Sequence, residues 1–155
     1  MTCKNKLVIL SSFLILFGGC ASGAPVSQTP STGVVVVKQS GGTGLLTGEC
    51  QDKQYIISKA DHIVEGIVER VESKWNEDRS AIFTHTDLLI ERHVKGSPFA
   101  ENSLQIVTPG GTVGNITQAV EDQPIFHVGK RVRIYFQEID GEFRIVCACL
   151  GVEER

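Results

Sequence analysis

Basic runs are missing from this 155-residue chain: its 15 Lys and Arg residues are scattered among 18 Asp and Glu. Without a stripe of cations there is nothing to neutralise a phosphate backbone, so nucleic acid is not an expected partner. Catalytic signatures are equally scarce. The chain has no Gly-x-Ser-x-Gly elbow, no His-Glu-x-x-His pair and no nucleotide fingerprint. No enzymatic activity, catalytic residue or cofactor is therefore expected. Nor does any apolar run reach the roughly 20 residues that a membrane-spanning helix needs; residues 7–17 supply about 11. Tryptophan occurs once, as Trp75, and cysteine five times.

That short apolar run has a specific context. It follows Lys4 and Lys6 and ends in Gly18-Gly19-Cys20, the order of charged start, apolar core and small residues found in a secretory signal peptide. The Gly-Gly-Cys ending also resembles the lipobox of prokaryotic lipoproteins, although Phe17 stands where that pattern carries leucine. The resemblance implies a signal peptide over 1–19, a lipidated Cys20 at the mature N-terminus, and membrane lipid as a partner. The chain would then be anchored to the cell membrane and face away from the cytoplasm. A plain secretory signal cut near Ala21 is the alternative. Without Lys4 and Lys6, 13 basic residues face 18 acidic ones, a formal charge of −5.

Residues 20–49 are rich in Ser, Thr, Gly and Pro and read as a flexible tether. One interruption, Val34-Val35-Val36-Val37, is β-prone and suited either to pairing with a sheet edge or to a sticky stretch of tether. Residues 50–155 are one domain's worth of chain. A short helical turn is expected over 55–60. The segment 61–72 has apolar residues at helical spacing (Ile63, Val64, Ile67, Val68, Val71), but its β-branched content and Gly66 favour a strand, with Gly66 marking a bulge. Further strands are expected over 81–93, 104–108, 131–136 and 143–150, the last two joined by a hairpin turn at Asp140-Gly141. Five strands with short connections predict an all-β fold, a small five-stranded OB-like barrel.

The order of elements resembles the netrin-like domain, the OB-type barrel of the tissue inhibitors of metalloproteinases. The residues that carry this are Ala60-Asp61-His62-Ile63-Val64, Val94-Lys95-Gly96, Ile106-Val107-Thr108-Pro109 and Val128-Gly129-Lys130. The chain also resembles uncharacterised prokaryotic exported domains through Trp75-Asn76-Glu77-Asp78-Arg79 and Gly110-Gly111-Thr112-Val113-Gly114. In the inhibitors a free N-terminal cysteine chelates the protease zinc. Here Cys50 lies behind the tether and a lipidated Cys20 offers no free amine, so that chemistry is not expected to transfer.

Cys50, Cys147 and Cys149 are the domain's disulfide candidates, with Cys50 joined to Cys147 or Cys149, which would share one face of a strand. Such a link is worth typically about 2–4 kcal/mol. A thiolate metal site or a redox role for Cys147 and Cys149 with a histidine is the alternative. His85 and Asp87 are two apart, so on a strand they share a face and are weak metal candidates. Gly110, Gly111, Thr112 and Gly114 form a tight loop at the position where OB-type barrels place ligands, and Trp75 is either a barrel cap or a binding anchor. Asn115-Ile116-Thr117 matches the N-glycosylation sequon. The expected function is a non-enzymatic, membrane-anchored binding module for an unidentified protein or envelope component.

Overall fold

The computed structural model describes residues 35–38 and 48–155, so the signal segment and the lipidation candidate Cys20 lie outside the described residues. Among the described residues there are nine strands: β1 (Val35–Lys38), β2 (His62–Trp75), β3 (Ile82–Lys95), β4 (Ser103–Pro109), β5 (Gly111–Val113), β6 (Ile116–Gln118), β7 (Arg131–Ile139), β8 (Glu142–Ile145) and β9 (Val152–Glu154). An α-helix, α1 (Lys53–Lys59), precedes β2. Asp52 caps it by accepting the Gln54 backbone N–H at 2.9 Å, which satisfies one of the donors a helix start leaves open.

Seven strands form one mixed sheet in the order β2-β3-β4-β1-β8-β7-β9, and β7 also pairs back onto β2. β5 and β6 form a separate hairpin. All five strands expected from the sequence lie in the large sheet. The valine run supplies β1, which runs parallel to both β4 and β8. β9 is a strand the sequence pattern does not announce.

Alternation dictates which side chains go inside. Val64, Val68, Leu88, Leu104, Ile106, Ile134 and Phe136 are fully buried in the main core together with Val37 of β1. Where α1 lies against the sheet, the other face of β2 and β7 is buried too. Ile56 and Ala60 of the helical segment pack there with Ile63, Tyr135 and Val146. This two-sided burial explains the adjacent apolar pair Ile63-Val64: each residue enters a different cluster.

Gly66 is where the bulge is expected. The β2–β3 register shifts between Glu65 and Gly66, and a Cβ on Gly66 would collide with the Leu89 carbonyl oxygen. The Asp-Gly hairpin also forms, with positive φ at both Asp140 (53°) and Gly141 (78°). The last expected strand stops early. β8 ends at Ile145, Cys147 takes a left-handed conformation (φ 55°), and Ala148–Gly151 forms a 3-10 turn. Cys147 and Cys149 therefore do not alternate along a strand, and the shared-face expectation is corrected.

One disulfide expectation is met. Cys50 is bonded to Cys147, with their Cα atoms 5.7 Å apart and 97 residues between them in sequence. The link ties the 3-10 turn before α1 to the chain leaving β8, beside the cluster that α1 covers.

Candidate functional site

The inward positions of β2, β3 and β4 change character along their length. On β3, Ile90 and Leu88 give way to Thr86 and Thr84; on β4, Leu104 and Ile106 give way to Thr108; on β2, Val68 and Val71 give way to Ser73. Alternation places these hydroxyls together at one end of the sheet interior. Ser73 Oγ and Thr84 Oγ1 lie 2.9 Å apart, and Thr84 donates to the Gly110 carbonyl at 2.8 Å. Thr108 is buried beside them in the register Thr84↔Thr108. Thr86 Oγ1 is buried without a hydrogen-bond partner.

The glycine-rich segment sits on this hydroxyl group. A Cβ on Gly111 (φ 135°) would collide with both Ser73 Oγ and Thr84 Oγ1. Only glycine can bring the backbone so near and adopt that φ without strain. Gly111 and Thr112 then enter the β5–β6 hairpin, whose tip carries Gly114 (φ 61°) and the exposed Asn115.

A cavity of about 740 Å³ opens between this hairpin and the segment from Gln118 to His127. Its floor is Ser73, Thr84 and Thr108, and its apolar wall includes Val71, Phe126, Val132 and Val152. Phe126 is drawn into the main core, whereas its neighbour Ile125 is 73% exposed at the cavity's edge. That aliphatic side chain, left in water, forms an apolar lip there. Val128, 63% exposed, continues that apolar lip along the chain.

Charges surround the opening. Lys130 and Glu154 form an ion pair at 2.8 Å, which holds the lysine above and the carboxyl below their ordinary pKa values. Glu121 and Asp122 also line the cavity and add negative charge. Among the described residues, the bonds found for Ser73 and Thr84 run to each other and to a carbonyl, with no histidine or carboxylate drawing a proton from either. The cavity's volume lies within the roughly 300–1,000 Å³ typical of small-ligand sites, and its lining mixes apolar side chains with hydroxyl, amide and charged ones.

Of the residues singled out from sequence, Gly110, Gly111 and Thr112 line the cavity and Gly114 turns the hairpin beside it. Trp75 does not line it. It ends β2 opposite Ile82, half-buried. His85 and Asp87 do share the outer face of β3, but Asp87 accepts from Arg70 Nε at 2.7 Å and from Gln105 at 3.0 Å. A carboxylate so committed to a guanidinium is poorly placed to take a metal, and no group of three or more metal-ligating side chains occurs among the described residues. Cys147 is consumed by Cys50, and Cys149 is not a free thiol although it lines the cavity. The floor residues Ser73, Thr84 and Thr108 have no sequence motif. Their only signal is hydroxyl side chains at inward strand positions, readable once the register is known.

At the opposite end of the sheet, the His62 ring stacks on Phe99 and Phe136, with centroids 5.1 and 5.3 Å away, and meets Phe143 edge-on. That end is closed by aromatic packing, whereas the hydroxyl end is open. No helix among the described residues is long and apolar enough to cross a membrane. Compared with known proteins, the chain matches no family model, no curated protein and no solved structure.

Proposed function

We propose that this chain is an extracytoplasmic binding module, anchored through a lipidated Cys20, whose domain is a small OB-like barrel that receives its ligand at the hydroxyl-floored cavity. The cavity carries the reading: an apolar wall, a hydrogen-bonding floor, an exposed aliphatic lip and no activated nucleophile suit recognition of a protein or envelope component. Closure into a barrel is supported by the pairing of β7 back onto β2, which leaves neither strand as a bare edge there. The netrin-like resemblance is supported by the sheet order β2-β3-β4-β8-β7, interrupted by β1 between β4 and β8 and returning from β7 to β2. Anchoring rests on Lys4, Lys6, the apolar run and Gly18-Gly19-Cys20; a protease-inhibitor role would rest on fold resemblance alone, a weak warrant for function.

Two measurements test this. Intact-mass analysis of the mature protein should find Cys20 at the N-terminus with added lipid mass; an unmodified N-terminus beyond Cys20 overturns the anchor. Ala119→Trp, at an exposed position lining the cavity, should abolish retention of a component held by the wild-type protein in solubilised membranes. Equal retention by both proteins overturns the cavity as the site.

A further inference from the structure

β1 differs from every other strand of the large sheet in how it is held. It has four residues and pairs in parallel with β4 (Val35↔Leu104 to Lys38↔Val107) and with β8 (Val37↔Phe143, Lys38↔Arg144). Both neighbours lie more than 60 residues further along the chain. Nine residues separate it in sequence from the 3-10 turn at Gly48–Gln51. Yet it is fully integrated: Val37 is 0% exposed and sits in the main core. Removing β1 would leave β4 and β8 as facing unpaired edges and open a gap in that core. Such edges are templates for another extended segment.

We infer that the space between β4 and β8 is a strand-accepting site, and that β1 of a second copy of this chain is its occupant in trans. The two ways of filling the site make identical contacts, because the inserted residues are identical. Their balance is set by the effective concentration of the covalently joined strand against the concentration of a second copy. Exchange of an identical element is a low-cost route to a dimer. A second copy is the occupant with warrant here, since Val35–Lys38 is the segment whose register and inward valine are seen to fit the site. This inference is independent of the cavity, which β1 does not line.

The test has two arms. Val37→Asp puts a charge into the core and should expel β1, opening the site. A labelled peptide of residues 33–38 should bind this variant saturably and bind the wild-type protein at least tenfold more weakly. The same peptide carrying the aspartate should bind neither. Should Val37→Asp lose its cooperative melt, Val37→Ala takes its place. In the second arm, two differently tagged wild-type populations are mixed at high concentration, warmed to the foot of the melt and cooled. They should yield a dimer carrying both tags, and the Val37→Asp populations should not. A folded variant that takes up no peptide overturns the accepting site. Peptide uptake with wild-type protein that stays strictly monomeric overturns the second copy as occupant.

Discussion

Ser73 and Thr84 face each other across the β2–β3 ladder, hydroxyl to hydroxyl at 2.9 Å, directly beneath the backbone of Gly111. Two positions along β3, Thr86 buries a hydroxyl that has no partner. The two threonines should therefore respond oppositely to the same change. Thr84→Val removes bonds to Ser73 and to the Gly110 carbonyl and should cost about 1–2 kcal/mol. Thr86→Val removes a buried unsatisfied group and should be neutral or stabilising by up to about 1 kcal/mol. Urea melts of both variants check the pair, and equal destabilisation would show that the hydroxyl end is held together differently.

Gly66 admits no side chain. Its Cβ would meet the Leu89 carbonyl and the Leu88 side chain at 2.9 Å, and the backbone oxygen cannot swing aside. Gly66→Ala should destabilise by about 1–3 kcal/mol, as overpacked cores do. The same substitution at Gly48, which has open space around it, should change stability by less than about 0.5 kcal/mol.

Replacing Cys50 and Cys147 together by serine releases the long-range link between the start of the domain and the end of β8. The expected loss is about 2–4 kcal/mol, since the closed loop restrains the unfolded chain. Because Cys147 packs against the cluster under α1, hydrogen exchange should show α1 loosening before β3 and β4.

Acid should weaken the outer face of the sheet. Glu65 accepts hydrogen bonds from Arg92, at 2.9 and 2.5 Å, and from Arg133. These hold its carboxyl below the ordinary value, the Arg92 bond contributing most and burial opposing. A carboxyl depressed on folding gives stability that is full above its unfolded pKa, about 4.3, and is lost as pH falls through the folded value. Glu65→Gln should therefore cost about 1–2 kcal/mol at pH 7. The gap from wild type should narrow as denaturant melts are taken below about pH 4.5. A gap that does not change with pH would mean that packing, not charge, makes the difference.

Local chemistry was legible where it acts locally. Gly66 declared its bulge, Asp140-Gly141 its hairpin, and the alternation of Arg131 to Phe136 its half-buried strand. Ile63 and Val64 misled the periodicity, because a strand buried on both faces puts apolar residues side by side. The break after Ile145 was hidden, since Val146 to Leu150 looks β-prone and only the left-handed turn at Cys147 ends the strand. The site was half legible. Gly110, Gly111 and Thr112 stood out as a loop, whereas Ser73, Thr84 and Thr108 belong to three strands and meet only through long-range register. Asp87 was readable as a ligand type; its engagement by Arg70 and Gln105 depends on two cross-strand neighbours.

The central claim is that the cavity end of the domain meets a partner outside the cytoplasm. Site-specific photo-crosslinking in intact cells addresses it most directly, with the reactive side chain placed at Thr112 on the hairpin or at Glu69 on the exposed outer face of β2. The account predicts one discrete crosslinked species from position 112, lost when Ala119→Trp is added, and none from position 69. Crosslinking that is absent from position 112, or equal from both positions, would contradict it.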